Sequence, residues 1–342
     1  MRHVNIPVFI PHLGCPNQCV FCNQRKISGV ESFDPDLVVG IIEEALSTVS
    51  SDDEVEIAFF GGSFTGIDRE LMISLLEIAH SYIEKGVVQS IRCSTRPDYI
   101  NGEILDILKT YGVRTIELGL QSSSDKVLEM SKRGHNFAAE RLGCQMIVDR
   151  GFKLVGQMMI GLPGSDIESE LNTARFIASC GAVGARIYPT VVFRETELCR
   201  MADEGVYTPL TLDEAVKRSA AVLKIFLDSG IEVIRIGLQS SDNLSDERSY
   251  AYGPNHPSLG ELVMSEVYYQ QICEKLSRLD LSGDENICVY VSRGALSKAV
   301  GQHRRNKIRL AERCKDIRFA EGEGITEYHI QLQINNGEIK CI

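Results

Sequence analysis

The sequence predicts an α/β protein: a partial (β/α)6 parallel barrel followed by a small α+β subdomain at the C-terminus. Short runs rich in Val, Ile, Leu and Phe recur over roughly the first 190 residues, and a segment of helical periodicity follows each run. Near-continuous apolar strands that alternate with helices are typical of a parallel sheet covered by helices. Because a full eight-unit barrel typically needs about 250 residues, six units indicate a partial one.

The apolar runs predict six strands, and the segments between them predict six helices. The strands are expected at residues 4–10, 55–60, 87–93, 113–120, 152–160 and 183–188. The helices are expected at residues 36–48, 68–85, 102–111, 124–132, 138–150 and 166–180. A helix at 212–228 and a strand at 231–236 resemble one more unit.

Composition shifts along the chain predict three regions. The barrel is expected to occupy residues 1–240. Residues 241–285 are expected to form a Gly/Pro-rich linker that contains one helix, at residues 261–276. Residues 286–342 form the C-terminal subdomain, where a second pattern of strands and helices begins.

Charge and cysteine content exclude several classes of protein. The 342 residues include 36 Lys and Arg against 47 Asp and Glu, a net charge of −11, which argues against binding nucleic acid or membrane over the whole surface. No apolar run approaches the roughly 20 residues of a membrane span, and the run at 4–10 is too short for a signal-peptide core. Eleven cysteines without a secretion signal predict a cytoplasmic protein in which some thiols bind metal and the rest pack.

Three cysteines carry the strongest chemical signal. Cys15, Cys19 and Cys22 follow the first predicted strand at spacings of four and three, so their thiolates can converge on one soft metal centre. A closed zinc site would need a fourth ligand, for which His12 is the nearest candidate. Three thiolates on a four-iron cluster would instead leave one iron open. On spacing alone, a zinc knuckle and three unrelated buried thiols remain alternatives.

Further polar and glycine residues lie at the ends of the predicted strands, where parallel barrels place their active sites. Taken singly, each is explained by turn chemistry or by a solvated strand end. They are Gly61, Gly62 and Ser63 after the second strand, Arg96 after the third, Glu117 and Gln121 at the fourth, and Gln157 and Met159 at the fifth.

The order of these motifs resembles that of the radical S-adenosylmethionine superfamily. The C-x3-C-x2-C motif, with Phe21 before its third cysteine, is followed by the Gly61-Gly62 segment and by Lys132-Arg133-Gly134-His135. Together they look most like the radical domain of the Elongator catalytic subunit and its bacterial relatives. Oxygen-independent coproporphyrinogen oxidases are more distant kin. The resemblance covers roughly residues 1–240.

The resemblance implies two cofactors, a [4Fe–4S] cluster held by Cys15, Cys19 and Cys22 and S-adenosyl-L-methionine bound to the open iron. One electron from a flavodoxin- or ferredoxin-type donor then cleaves the sulfonium to methionine and a 5′-deoxyadenosyl radical. The backbone of Gly61, Gly62 and Ser63 would hold the methionine amino group. The remaining expected contacts are Phe21 and Met159 at the adenine, Glu117 and Gln121 near the ribose, and Gln157 and Arg96 at the methionine carboxylate or in neighbouring polar contacts. No side chain stands out as a general acid or base.

Two known variants of this chemistry are not expected here. About 100 residues follow Ser240, too few for the acetyltransferase domain of Elongator-type proteins. The other eight cysteines show no second CxxC motif that could bind another cluster, so most of them should pack in the core. Cys341, one residue from the end of the sequence, is the one that we do not assign to packing.

The C-terminal segment resembles a KH domain, in which a GxxG loop between two helices clamps a nucleic-acid backbone. Residues 287–320 read as strand, helix, loop, helix and strand, with Arg304 in place of the second loop glycine. Residues 293–318 contain nine Lys or Arg and two acidic residues; subtracting this excess of seven from −11 leaves −18 for the rest. The expected RNA contacts are Gly301, His303, Arg304, Arg305 and Lys307. A solvated basic helix in a structural subdomain is the alternative.

These features predict a radical S-adenosylmethionine enzyme that acts on RNA, plausibly tRNA. The same chemistry on a small molecule, tetrapyrrole or peptide, with a structural tail, is the first alternative. A non-catalytic iron–sulfur RNA-binding or sensor protein is the second. No membrane partner is expected, and the sequence does not predict an oligomeric state.

Overall fold

The computed structural model of this chain describes residues 2–11, 13–16, 19–23, 30, 32–238, 250–279, 281–335, 337 and 339–340. His12, Cys341 and residues 239–249 of the predicted barrel end and linker lie outside these described residues. The chain divides into two compact units: residues 1–211 with 225–255, and residues 212–224 with 256–342.

A seven-stranded parallel sheet forms the first unit. Its order, β1-β2-β3-β4-β5-β6-β8, follows the chain without reversal, as expected for a barrel and unlike a doubly wound sheet. The pairing of described residues does not join β1 to β8, so the barrel is partial. The strands are β1 His3–Ile10, β2 Glu54–Gly61, β3 Ser90–Thr95, β4 Val113–Gln121, β5 Lys153–Ile160, β6 Gly184–Pro189 and β8 Glu232–Ile236; a short pair, β7 Val192–Phe193 and β9 Tyr250–Tyr252, is separate.

Helices connect successive strands of this sheet. Their starts are defined by side-chain caps, since Asp68, Asn101, Asn136 and Asp166 each accept a first-turn amide hydrogen bond. The helices are α1 Val38–Leu46, α2 Arg69–Glu84, α3 Gly102–Thr110, α4 Asp125–Met130, α5 Phe137–Asp149, α6 Ile167–Ser179 and α7 Glu197–Asp203; α8 Leu212–Asp228 contributes to both units.

The predicted fold class is confirmed. The six predicted strand–helix units are present, and the further strand expected at 231–236 is β8, which pairs with β6 as a seventh parallel strand. The carboxyl ends of all seven strands share one rim of the sheet, so the loops that follow them can assemble a site.

The second unit contains a four-stranded sheet of order β11-β10-β12-β13. Strands β10 and β11 are parallel, whereas the β12 pairings are antiparallel. The elements are α9 Leu259–Ser277, β10 Asn286–Val291, α10 Leu296–Val300, α11 Arg305–Ala311, β11 Asp316–Glu321, β12 Ile330–Ile334 and β13 Ile339–Lys340. The predicted order of strand, helix, loop, helix and strand is thus found, although α10 has only five residues.

Helix α9 belongs to the core of the second unit. Tyr268, Ile272 and Leu276 pack with Val289 and Leu310 in one apolar cluster. The Gly/Pro-rich stretch before it predicts a linker region at residues 241–285, whereas the burial of its apolar residues groups the helix with the second unit.

Two further observations concern the cysteines and the helices of the described residues. No disulfide joins any of the ten described cysteines. No described helix has the length and apolar character that a membrane crossing requires.

Candidate cofactor site

The cysteine loop follows β1 and is anchored by its apolar residues. Val20 and Phe21 are buried in a cluster with Leu162 and Leu198, and Cys19, Cys22 and Met159 pack against it. The Cys22 amide donates to the Cys19 carbonyl at 3.1 Å, which forms a tight turn between two predicted ligands. Phe21 and Met159, both predicted adenine contacts, therefore lie in one apolar cluster beside the cysteines.

Glycines allow the cysteine loop to dock on the end of β2. The Gly62 amide donates to the Ile10 carbonyl at 2.9 Å, and the Ser63 amide donates to the Leu13 carbonyl at 3.2 Å. A Cβ on Gly62 would lie 2.2 Å from the Leu13 oxygen, and one on Gly14 would lie 2.2 Å from the Ser63 oxygen. An amino group held here would donate to carbonyl oxygens, because backbone amides are themselves donors.

Ser63 and Arg96 join the ends of β2 and β3. The Ser63 hydroxyl lies 2.9 Å from that of Thr95 and accepts from the Arg96 amide at 3.1 Å. The Arg96 guanidinium donates to both Asp98 oxygens at 2.9 Å and to the Arg133 carbonyl. Burial alone would raise the pKa of Asp98, but hydrogen bonds from His135 and Arg96 hold it well below its usual value. Arg96 thus organises the rim of the sheet.

Glu117 is placed in the interior of the sheet rather than at its surface. It has no exposed area, and its oxygens accept from Arg92 at 2.8 Å, Arg186 at 2.8 and 3.0 Å, and Gln157 at 2.8 Å. Burial raises the pKa of its carboxyl, but the bonds from Arg186 and Arg92 outweigh burial and lower it overall. A ribose contact would require breaking one of these bonds, because both oxygens are occupied.

The network continues from Glu117 to a second buried carboxylate. Arg92 also donates to Glu56 at 2.7 Å, and Glu56 accepts from Ser90 and Thr115 at 2.9 and 3.2 Å. Glu56 and Arg92 are not among the site residues expected from the sequence, although both are charged residues within strands of the sheet.

Two unpaired polar atoms lie at the carboxyl end of β4. Gln121 Oε1 and Arg133 Nε are buried and have no hydrogen-bond partner among the described residues. Both side chains lie against Gly119, where a Cβ would be 3.0 Å from Gln121 Nε2 and 3.5 Å from Arg133 Nη2. Gln121 also has a φ of 72°, which is strained for a residue with a side chain. Buried polar atoms without partners indicate a site for a polar ligand, and S-adenosylmethionine fits that requirement.

Arg133 connects this rim to the cysteine loop. Its Nη1 donates to Cys19 Sγ at 3.2 Å, and its Nη2 donates to the Gly119 carbonyl. Burial and the nearby Cys19 raise the pKa of the Cys15 thiol, whereas Arg133 and Arg96 act to lower it. Since a bound iron deprotonates its thiol ligands outright, the set of three partly buried thiols suits an iron–sulfur centre.

Within the described part of the chain, no three His, Cys, Asp or Glu side chains are arranged to ligate one metal ion.

A cleft of about 1020 Å³ opens beside Cys19 and Cys22, which is large enough for a small organic molecule. Four of its thirteen lining residues are acidic, and its one lysine, Lys132, donates to Glu197 at 2.6 Å. The lining residues are Cys19, Val20, Cys22, Asp125, Leu128, Glu129, Lys132, Gly134, His135, Asn136, Glu195, Thr196 and Glu197.

In the second unit, the predicted RNA-binding loop presents some of its residues and buries others. His303 and Arg304 are exposed, with left-handed φ values of 53° and 61°. Gly301 is buried, and a Cβ there would lie 2.9 Å from Ser265 Oγ. Arg305 pairs with Asp213 at 2.9 Å, and Lys307 is half-buried. Gly301 is therefore explained by packing, and His303 and Arg304 are the residues that reach solvent.

Several basic side chains of this region are already paired. Arg309 donates to Glu266 at 2.6 Å and lies over the Tyr269 ring, while Lys298 pairs with Glu327 at 3.2 Å. Asn306, which sequence reasoning missed, is buried and donates to Ser265 and to the Ala299 carbonyl. Because these side chains are paired with acidic residues, fewer positive charges are available to a polyanion than the excess of seven counted in residues 293–318.

Two family models match this chain over most of its length. The Radical SAM superfamily model matches residues 9–177, and the Radical SAM C-terminal domain model matches residues 182–269.

Curated relatives share about 30% identity with the chain. An uncharacterized protein of Methanocaldococcus jannaschii is 31% identical over 221 residues, which are 61% of this chain and 67% of that protein. The tRNA uridine(34) acetyltransferase of the same organism is 28% identical over 54% of this chain and 38% of its own length. Human Elongator complex protein 3 is 28% identical over 54% of this chain and 37% of its own length. The chain thus aligns with well under half of the two named relatives.

Solved structures share the fold at lower identity. Archaeal Elp3 of Methanocaldococcus infernus, with an N-terminal deletion, superposes with a TM-score of 0.63 at 22% identity over 80% of this chain and 63% of that chain. Methylornithine synthase superposes with a TM-score of 0.51 at 17% identity over 72% of this chain and 77% of that chain.

Proposed function

The chain belongs to the radical S-adenosylmethionine superfamily, and we propose that it uses this chemistry to modify RNA, specifically tRNA. The enzyme class and its cofactors, the [4Fe–4S] cluster and S-adenosylmethionine, follow from the family. One observation carries the tRNA proposal: the matched region aligns with a protein named for its action on tRNA uridine and with Elongator complex protein 3.

The residues on the rim support specific roles. We infer that Cys15, Cys19 and Cys22 hold the cluster, which supplies the electron that cleaves the cofactor to a 5′-deoxyadenosyl radical. Gln121 Oε1, buried without a partner among the described residues, would accept a hydrogen bond from a cofactor hydroxyl. Phe21 and Met159 would line the apolar side of the adenine.

The other predicted residues would act in support of these contacts. Carbonyl oxygens of the Gly61, Gly62 and Ser63 segment would accept from the methionine amino group. Gln157, which is partly exposed, would face the cofactor while it donates to Glu117. Glu117 would therefore act indirectly, by orienting Gln157 and Arg186. Arg96 would fix the end of β3 to the segment that contains Arg133.

The substrate would be held in part by the KH-like region, residues 286–342. His303 and Arg304 are exposed at the tip of its loop, where they can contact phosphates, with Lys307 beside them. The reductant would be a flavodoxin- or ferredoxin-type protein. The absence of disulfides among the described cysteines is compatible with a cytoplasmic location.

Anaerobic reconstitution separates the proposed activity from its alternatives. Reduced with dithionite and given S-adenosylmethionine, the protein is expected to release 5′-deoxyadenosine. If protein that contains four irons per chain releases no 5′-deoxyadenosine, the proposed enzyme activity is rejected. The alternative of a non-catalytic iron–sulfur protein would then remain.

The tRNA substrate is tested by comparing modified nucleosides from cells with and without the gene. We expect one modified nucleoside to disappear from tRNA in the deleted strain and to return with the wild-type gene but not with a Cys19→Ala gene. An unchanged nucleoside profile, with normal 5′-deoxyadenosine formation, would favour a small-molecule, tetrapyrrole or peptide substrate.

A further inference from the structure

The side chain of Arg133 donates a hydrogen bond to a predicted cluster ligand, Cys19. Its Nη1 lies 3.2 Å from Cys19 Sγ, although the two residues are 114 positions apart in the chain. The side chain is only 6% exposed, and its other arm donates to the Gly119 carbonyl. The guanidinium therefore occupies a fixed position between the cysteine loop and the end of β4.

The backbone of Arg133 is fixed as firmly as its side chain. Its amide donates to the Leu128 carbonyl at 2.9 Å, and its carbonyl accepts from Arg96. Arg96 is itself held by both oxygens of Asp98. These contacts join the segment after α4 to the end of β3, so the guanidinium has little freedom to move away from the sulfur.

His135 supports the same segment from the other side. Its ring is 1% exposed and lies between Asp98, at 3.4 Å, and Glu140, at 3.1 Å. Gly134, between Arg133 and His135, has a φ of 77°, and a Cβ there would lie 3.4 Å from Arg96 Nη2. The whole turn is thus shaped to hold Arg133 in one orientation.

A hydrogen bond and a positive charge at a ligand sulfur have a defined effect on a cluster. One-electron reduction makes the cluster and its thiolates more negative, and a nearby cation stabilises the more negative state. Hydrogen bonds to the sulfurs and solvent exposure are among the features that set the reduction potential. A buried guanidinium at 3.2 Å from the sulfur provides both effects with little screening by water.

We propose that Arg133 is a positioning residue that raises the reduction potential of the cluster through its hydrogen bond to Cys19. The electron enters from the low-potential flavodoxin- or ferredoxin-type donor, or from dithionite in vitro, and no bond is made or broken by Arg133. The inference rests on the cluster of the proposed function but not on its RNA substrate.

The test is a redox titration of the reconstituted holoenzyme, followed by electron paramagnetic resonance, with iron and sulfide content measured on each sample. In Arg133→Met the ratio of reduced to oxidised cluster at a fixed potential is expected to fall about tenfold, the order of effect expected when one hydrogen bond to a charged group is lost. For a one-electron couple this is about 59 mV more negative. Arg133→Lys, which keeps the charge but not the planar fork, should lie between Arg133→Met and wild type.

Arg114→Met is the matched control, because it removes the same charge and the same type of side chain from the first unit. Arg114 is exposed and is not among the residues that line the cleft beside Cys19 and Cys22, so its loss should leave the midpoint potential unchanged. Full iron content with a wild-type potential in Arg133→Met would overturn the proposal, as would an equal shift in Arg114→Met. If Arg133→Met retains no cluster, Arg133→Lys decides: a more negative potential supports the proposal, and a wild-type potential overturns it. A wild-type protein that binds no iron would contradict the proposed function itself.

Discussion

Glu117 is the residue on which the polar interior of the sheet depends. It accepts four hydrogen bonds from Arg92, Arg186 and Gln157 and has no exposed surface. Two buried arginines would be left without a full countercharge if this carboxylate were lost. A buried charge without its partner is far more costly than a broken surface ion pair.

Glu117→Gln is therefore expected to lower the free energy of unfolding by about 3–5 kcal/mol, since it leaves buried guanidinium charge uncompensated. Glu204→Gln is the control: it breaks the exposed pair with Arg200 and should cost no more than about 1 kcal/mol. Denaturant unfolding of both variants under the same anaerobic conditions provides the measurement. Equal losses in the two variants would contradict the role assigned to Glu117.

Single residues also differ in how far the sequence reveals their roles. Gln121 could be selected from the sequence because it ends a predicted strand, and its position at the rim follows from that. The contact of Arg133 with Cys19 could not be selected in this way. It joins residues 114 positions apart, and only the packing of the turn after α4 brings them together.

At the scale of elements, the main contact is between the cysteine loop and the end of β2. Gly14 and Gly62 lie so close to facing carbonyl oxygens that neither position has room for a Cβ. The amides of Gly62 and Ser63 bind Ile10 and Leu13 across this contact. The glycines thus hold the loop on the sheet and thereby position the cysteines.

Gly62→Ala is expected to displace the cysteine loop, because its Cβ would lie 2.2 Å from the Leu13 oxygen. Overpacking of this kind typically costs about 1–3 kcal/mol, and here it should also reduce the iron bound after reconstitution. In Gly40→Ala, an exposed position of α1 with no atom near a new Cβ, we expect full iron content and a gain of up to about 1 kcal/mol. Normal iron content in Gly62→Ala would show that the loop tolerates the shift.

The elements themselves were predicted closely, and the largest shift has a local cause. The third strand was expected at 87–93 but is Ser90–Thr95. Residues 86–88 instead close the end of α2, where Gly86 has a φ of 74° and the Val87 and Val88 amides bind the Tyr82 carbonyl. Apolar side chains in a helix-terminating turn are not distinguished from a strand by composition alone.

At the scale of the whole molecule, opposite charges are concentrated in different parts of the chain. The overall charge is −11, yet residues 293–318 carry nine basic and two acidic side chains. Lys298, Arg305, Arg309 and Arg318 have acidic partners in the structure. RNA affinity should therefore depend on the remaining cations rather than on the total excess.

Arg304→Glu with Lys307→Glu tests this expectation. Each lost phosphate contact should reduce the slope of log affinity against log salt by about 0.7–0.9, and tRNA binding should weaken accordingly. Arg114→Glu with Arg141→Glu makes the same charge change at exposed positions of the first unit and should leave the slope close to wild type. Filter binding over a salt series measures the affinity and the slope. The same slope in the wild type and in both double variants would exclude RNA contact through this loop.

The sequence by itself determined the fold class, the order of strands and helices, and the position of three closely spaced cysteines after the first strand. Each of these depends on local periodicity or close spacing, which the chain carries without reference to its fold. Only the tertiary structure decided that Glu117 is a buried carboxylate with four hydrogen bonds, that Arg133 contacts Cys19, and that α9 packs in the core of the second unit. The physical reason is shared: hydrogen bonds and burial depend on partners distant in the chain, and those partners meet only when the sheet has formed.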